Sequence, residues 1–207
     1  LWLYLNCMKN KNIAIGIIVF IGLGLGAYFI FSVGLGGASF VGTEEFLQDG
    51  EPLEQFVAPE LLVSFGYPKG YILEEKNLGN GERLRKQILL IEDSETNRAL
   101  LSGDIVGDGP TSITIDVFQN NLDNYTAESF IRGNANSNYK MGDGDITPVE
   151  ISGFPGFVYG WDGLYRGESA VFATDKYVYM ASVTYIEGTD KIVTDFMRML
   201  KTLSIDD

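Results

Sequence analysis

The sequence has no histidine among its 207 residues, and its single cysteine, Cys7, precedes a long apolar run. Without an imidazole there is no Ser–His–Asp triad and no histidine metal ligand. Without a cysteine after residue 7 there is no thiol nucleophile, thiolate metal site or internal disulfide beyond that point. The Walker, GxGxxG and HExxH motifs are missing as well. These absences exclude most familiar hydrolase, redox and nucleotide-binding classes.

Basic residues are also scarce, and their distribution is uneven. Lys9 and Lys11 are the only charged residues among the first 43. The remainder therefore holds 28 acidic residues against 13 basic ones, a net charge of −15. A domain this acidic is repelled by phosphate backbones, so we expect no nucleic-acid partner.

The longest uncharged run is apolar. Ile13–Val33 spans 21 residues without a charge, which as a helix gives about 32 Å, close to the thickness of a bilayer's hydrocarbon core. Lys9 and Lys11 precede it, and Glu44 and Glu45 follow it. The positive-inside bias predicts a single-pass signal-anchor in the cell membrane. Residues 1–12 would then be cytoplasmic, 13–33 transmembrane in contact with lipid, and the rest extracytoplasmic.

Other interpretations of the N-terminal segment stay open. Gly36-Gly37-Ala38-Ser39 offers small residues at which a signal peptide could be cleaved. Cys7 lies before the apolar run, whereas a lipidated cysteine should follow it. Met8 looks like the start of a signal anchor, so we expect translation to begin there. Gly22 and Gly26 have the spacing that allows membrane helices to approach closely.

The distal part predicts an α+β domain at residues 60–207, joined to the membrane segment by a linker at 34–59. Thr111–Gln119 alternates apolar and polar residues, as a half-buried strand does. A short helix capped by Asn124 or Thr126 follows, then a β meander. The last helix repeats apolar residues from Ile192 to Leu203 on one stripe, which requires a sheet to cover it. We therefore predict an antiparallel β-sheet flanked by helices.

This order of elements resembles the PsbP-like family. The resemblance lies in GPTSITIDVF before a short helix, in the meander FPGFVYGWDGLYRGESAVFATDKYVYMASVTY, and in a C-terminal helix ending LKTLSI. It covers about residues 58–207. Many PsbP-like domains belong to small membrane-anchored bacterial proteins, and the resemblance implies an αβα sandwich. It assigns no site residues, because no functional motif maps onto this chain.

One aromatic and charged cluster is a candidate binding surface. Tyr159, Trp161, Tyr165 and Arg166 lie close together in sequence, with Asp162 and Glu168 nearby. Exposed aromatic rings beside an arginine can hold a sugar or a partner protein. The alternative is a β-hairpin that turns at Asp162-Gly163, with the aromatic residues packed across its strands.

Asp143 and Asp145 flank Gly144 in a glycine-rich loop, and closely spaced carboxylates of this kind can bind Ca²⁺. Asp104 and Asp108 form a similar pair. An EF-hand loop requires a glutamate at its twelfth position, and counted from Asp143 that position is Phe154. Aspartate–glycine turns without a metal are the alternative.

The sequence thus predicts a membrane-anchored extracytoplasmic module that binds an envelope protein or polymer without catalysis. It identifies no catalytic residue and implies no cofactor, Ca²⁺ at the Asp143 loop excepted. A carboxylate-dependent enzyme acting on envelope glycans is one alternative, which requires two acids in a cleft. A Ca²⁺ or small-ligand carrier is another, which predicts a higher melting temperature with Ca²⁺.

Overall fold

A computed structural model describes residues 52–80 and 82–206, which form ten strands and three α-helices. The strands are β1 Leu53–Ala58, β2 Val63–Pro68, β3 Tyr71–Asn77, β4 Arg85–Glu92, β5 Ser112–Gln119, β6 Thr147–Ile151, β7 Phe154–Asp162, β8 Arg166–Ala173, β9 Tyr177–Tyr185 and β10 Ser204–Ile205. The helices are α1 Glu95–Ser102, α2 Ala127–Gly133 and α3 Lys191–Thr202. Single 3-10 turns occur at Pro59–Leu61, Ala135–Ser137 and Tyr139–Met141. The predicted α+β class with antiparallel strands is confirmed.

The strands form two antiparallel sheets. The main sheet has seven strands in the order β3-β4-β5-β9-β8-β7-β6, and the small sheet has the order β1-β2-β10. In the main sheet β9 returns to lie beside β5, with Ile115 opposite Ala181. The meander β6 to β9 therefore extends the sheet on one side of β5, while β3 and β4 extend it on the other.

The larger core lies on one face of the main sheet, under α3 and the small sheet. Ile113, Ile115 and Val117 point into it from β5, as their alternation predicts. Phe196 and Met199 of α3 are fully buried against the same core. The apolar stripe of the C-terminal helix thus has the partner that its periodicity demands.

The second core lies on the opposite face and is smaller. Phe130 and Ile131 of α2 pack there against apolar side chains of β7, β8 and β9. Thr126 caps α2 by accepting a hydrogen bond from the Ser129 backbone, and Ser129 reciprocates at the Thr126 backbone. Because α2 has only seven residues, it covers part of this face and leaves the rest open.

The domain begins earlier in the chain than the sequence indicates. Leu53–Ala58 lies in the predicted linker, yet it forms β1, paired with β2 along its full length. Phe56 packs on Phe65 with ring centroids 5.0 Å apart, so apolar contact across the small sheet explains the strand.

The predicted cytoplasmic segment, the transmembrane helix at 13–33 and most of the linker lie outside the described residues. Within the described ranges, no helix combines the length and apolar character that crossing a bilayer requires.

Candidate functional site

The part of the main sheet that α2 leaves open forms a polar depression of about 300 Å³, here called the sheet cleft. Alternating positions on three neighbouring strands supply its floor. The floor residues are Arg85 and Gln87 of β4, Ser112, Thr114 and Asp116 of β5, and Met180, Ser182 and Thr184 of β9. One wall is the loop after α2, through Ala135, Asn136 and Asn138, and the other is Trp161 of β7.

Asp116 is the most buried charged group of the floor, with 2% of its surface exposed. Arg85 binds one of its oxygens through Nε at 3.0 Å and Nη2 at 2.9 Å. Gln87 Nε2 donates to both carboxylate oxygens, at 3.2 and 3.3 Å. Burial raises the pKa of the Asp116 carboxyl, while the charge of Arg85 and the bonds from Arg85 and Gln87 oppose that rise. Both carboxylate oxygens of Asp116 therefore have partners within the protein.

Arg85 also connects the floor to the wall. Its Nη1 donates to Asn136 Oδ1 at 2.8 Å, and its Cζ lies 5.1 Å from the centre of the Phe118 ring. All three guanidinium nitrogens therefore have a protein partner. Asn136 in turn donates to Asn134, whose side chain caps the 3-10 turn that follows α2. The wall thus depends on both α2 and Arg85.

Hydroxyl groups line the rest of the floor. Thr114, Ser182 and Ser169 are successive partners across β5, β9 and β8, and the hydroxyls of Ser182 and Ser169 lie 2.8 Å apart. Thr184 Oγ1 accepts from the Ser112 backbone N–H at 2.8 Å. The hydroxyls of Ser112 and Thr114 have no protein partner among the described residues. These two groups can accept or donate bonds to a ligand.

Trp161 is held in one orientation. Its Nε1 donates to Ser169 Oγ at 3.0 Å. Its six-membered ring lies against Gly167, where any Cβ would collide with three atoms of the indole. Glycine at position 167 is therefore required for the indole to lie across β8. The side chain is half-buried, so part of the ring remains open to the cleft.

The four predicted binding residues do not share one surface. Only Trp161 lines the cleft. Tyr159 is 4% exposed and belongs to the second core, where its hydroxyl donates to the Ser137 carbonyl. This buried position corrects the expectation of an exposed ring and agrees with cross-strand packing.

Tyr165 lies in the β7–β8 turn and donates to the Gly109 carbonyl at 2.8 Å. Arg166 is exposed opposite Asp162, and strand alternation directs it to the other face from Trp161.

The predicted Ca²⁺ residues lie in an exposed loop. Asp143 Oδ1 accepts from the Asp145 backbone N–H at 3.2 Å, which is the bond of an aspartate turn. Asp104 is also exposed, and its carboxylate accepts from the Ser102 hydroxyl at 2.6 Å. Across residues 52–80 and 82–206, no group of three or more acidic, histidine or cysteine side chains is placed to hold a metal ion. Ca²⁺ binding by the Asp143 pair stays a prediction.

Glu168 is a second buried carboxyl, on the face opposite the cleft. It is 7% exposed and accepts a hydrogen bond from the Tyr185 hydroxyl at 3.1 Å. Burial raises the pKa of Glu168, while the bond from Tyr185 opposes the rise. Burial and the nearby carboxylate also raise the pKa of Tyr185 to about 12, so its phenol stays protonated at neutral pH.

Replacing Glu168 by glutamine is expected to raise the melting temperature at about pH 8 and to leave it nearly unchanged at about pH 4. A carboxyl whose pKa is raised by folding favours the folded state when protonated, and that advantage is lost as the pH rises through the folded pKa. Glutamine avoids the loss and still accepts from Tyr185. Melting curves across this range test the prediction, with Glu150→Gln on the exposed side of β6 as control. A gain that is independent of pH would contradict it.

Most residues that line the cleft are not among the site residues predicted from the sequence. Ser112, Thr114 and Asp116 sit at alternate positions of β5, and Ser182 and Thr184 do so on β9. Small polar residues in register on the inner strands of a covered sheet are the available signal, because such positions normally carry apolar side chains. This signal becomes visible only when β5 and β9 are known to be adjacent strands.

Comparison with known proteins adds a likeness of fold. The sequence matches no family model and no curated protein. Among solved structures, the solution structure of cyanobacterial PsbP (CyanoP) from Synechocystis sp. PCC 6803 aligns with a TM-score of 0.48 and 12% identity over 83% of this chain and 99% of that one. The chain resembles PsbP at the level of the fold. The expected PsbP-like resemblance is confirmed at that level, and it carries no information about ligand or partner.

A crystal structure at 1.50 Å resolution from Bacteroides thetaiotaomicron VPI-5482 aligns with a TM-score of 0.46 and 14% identity. The alignment covers 76% of this chain and 50% of the other, so the present chain spans about half the length of that protein.

Proposed function

We propose that this chain is a non-catalytic binding module whose sheet cleft takes up a polar group of its ligand. The observation that carries the proposal is the network formed by Arg85, Asp116 and Gln87 at the cleft floor. The network lies in the cleft floor with the accessible hydroxyls of Ser112 and Thr114, and the fixed indole of Trp161 forms a wall of the same cleft. Binding sites combine a few placed polar groups with an aromatic wall in this way.

The same network favours binding over glycan hydrolysis. A glycosidase needs two carboxyl groups on either side of the scissile bond, one of them free to give up a proton. Asp116 is the one carboxylate among the residues lining the cleft, and it is paired with Arg85. Glu168 and Asp195, the other buried carboxyl groups among the described residues, lie on the opposite face of the sheet, Asp195 on α3. The cleft residues therefore supply no acid–base pair.

Membrane attachment is the second element of the proposal. The uncharged run Ile13–Val33 supports a single-pass anchor, and Lys9 and Lys11 before it support a cytoplasmic N-terminus. The domain would then stand outside the cytoplasm, where an envelope protein or polymer is the expected partner. Its negative charge favours solubility there.

Crosslinked capture from native membranes, with the full chain as bait, tests this function. We expect Trp161→Ala to weaken the affinity for the specific partner about thirtyfold, because a central aromatic anchor contributes about 2 kcal/mol. Arg166→Ala, on the other face of the same hairpin, serves as the matched control and should retain capture. Capture that survives Trp161→Ala would remove the cleft as the binding site. Loss in Arg166→Ala alone would move the site to the hairpin tip.

A further inference from the structure

We propose that the sheet cleft binds a neutral sugar, with one ring stacked on Trp161 and its hydroxyl groups bonded to side chains of β5 and β9. This inference rests on the proposed function, since it names the ligand class of the same cleft. Three features support it: the absence of usable charge, the excess of groups that both donate and accept, and the fixed aromatic wall.

Charge in the cleft is already neutralised. Arg85 and Asp116 are the two charged residues among those that line it, and they are bonded to each other at 2.9 Å. An anion would have to compete with Asp116 for the guanidinium, and a cation would have to compete with Arg85 for the carboxylate. Either exchange leaves a buried charge without its partner, which is costly. The net charge of −15 beyond residue 43 further repels anions. A neutral ligand avoids both penalties.

The hydrogen-bonding groups suit a polyol. Seven of the twelve lining residues are neutral and polar, four with hydroxyls and three with amides. Both side-chain types donate and accept, as sugar hydroxyls do. The Thr114 hydroxyl is unbonded among the described residues and sits at the centre of the floor, opposite Leu89 on β4 and Ser182 on β9. It is therefore positioned to bond the ligand directly.

The aromatic wall completes the site. The Trp161 indole is fixed by its bond to Ser169 and by its contact with Gly167, so little rotamer entropy is lost when a ligand stacks on it. The electron-rich face of an indole attracts the polarised C–H groups on the flat side of a pyranose ring. The cleft volume of about 300 Å³ is at the lower end of the range for small-molecule sites. It suits one ring of a longer glycan, with the remainder outside.

Fluorescence of Trp161 provides the test in the full chain. The sequence has two tryptophans, so Trp2→Phe leaves Trp161 as the sole indole. The protein is kept in a detergent without a sugar headgroup, because such a headgroup would compete for the cleft. The probes are glucose, galactose, mannose and N-acetylglucosamine, with glucuronate and inorganic phosphate as charged counterparts. We expect a saturable change in emission with at least one neutral sugar, at a dissociation constant of about 1 mM, a strength typical of weak single-ring binding.

Two threonine variants test whether the change in Trp161 emission depends on the floor of the sheet cleft. Thr114→Val replaces the hydroxyl by a methyl group of the same shape, and we expect binding of that sugar to weaken about tenfold, the value of one hydrogen bond. Thr147→Val makes the same change on the exposed edge strand β6 and should leave binding unchanged. Equal affinity in the Thr114 and Thr147 variants would overturn the proposed contact with β5.

The remaining outcomes separate this inference from the proposed function. A saturable change with glucuronate or phosphate alone would overturn the neutral-sugar assignment and leave the cleft as a binding site. No change with any of the six probes would also overturn the assignment. Partner capture that depends on Trp161 would then still support the proposed function, and loss of that dependence would overturn the function as well.

Discussion

Replacing Arg85 by alanine is expected to lower the free energy of unfolding by about 3 kcal/mol. Only 3% of the Asp116 side chain is exposed, against 26% for Arg85, so the substitution leaves a buried carboxylate without its cation. Gln87 would remain as its one side-chain donor of the present network. The substitution also removes the bond from Arg85 to Asn136, so the wall of the cleft loses a support. Urea unfolding at neutral pH measures the loss.

An exposed ion pair provides the control. Arg83 binds Asp123 with 53% and 27% of the two side chains exposed, so Arg83→Ala should cost at most about 1 kcal/mol. Adding Asp116→Asn to Arg85→Ala should recover part of the loss, because the unpaired charge is then gone. Equal costs for the Arg85 and Arg83 variants would show that Asp116 gains little from its pair.

The pH dependence of the Arg85 variant has a definite sign. Burial already raises the pKa of Asp116, and without the guanidinium the pKa should rise further. A raised carboxyl pKa means that the folded state binds a proton more readily than the unfolded chain, so stability is recovered as the pH falls. The difference between Arg85→Ala and the parent should therefore shrink from neutral pH toward acid. A constant difference would mean that packing, rather than charge, sets the cost.

The elements with strong periodicity were predictable from sequence. The stripe through Ile192, Phe196 and Met199 predicts the last helix, and those side chains are buried in the structure. Thr126 at the start of α2 and the alternation of β5 were equally readable. β1 was not, because its burial alternates weakly and its stability comes from pairing with β2, a tertiary contact.

The cleft was beyond sequence analysis for a physical reason. Arg85 is separated from Asp116 by 31 positions and from Asn136 by 51, and these residues meet only because the strand order places them together. The residue type of Trp161 indicates a binding surface, because tryptophan is enriched at interfaces. Tyr159 and Arg166 are close to Trp161 in the sequence, but neither lines the cleft. Tyr159 faces the same side of β7 as Trp161 but is buried in the second core beneath α2 and the turn after it. Arg166 points to the other face, because it precedes Gly167, the partner of Trp161, and adjacent residues of a strand face opposite sides.

Replacing Phe130 by alanine is expected to cost about 3–5 kcal/mol and to loosen the wall of the cleft. Phe130 is fully buried, and its ring lies 4.8 Å from Phe118 and 5.6 Å from Tyr125 between ring centroids. A helix of seven residues has little stability of its own and depends on this apolar contact. Urea unfolding gives the cost, and amide hydrogen exchange across residues 134–141 reports on the wall.

Phe196→Ala is the matched control, because Phe196 is equally buried but belongs to α3 on the other face. Both variants should lose similar free energy of unfolding, yet only Phe130→Ala should speed exchange in the wall beyond its global loss of stability. Because Asn136 and Asn138 line the cleft from this wall, binding should weaken in the Phe130 variant alone. If both variants keep the wall equally protected, Arg85 rather than α2 holds it, and the cleft is stabilised from its floor.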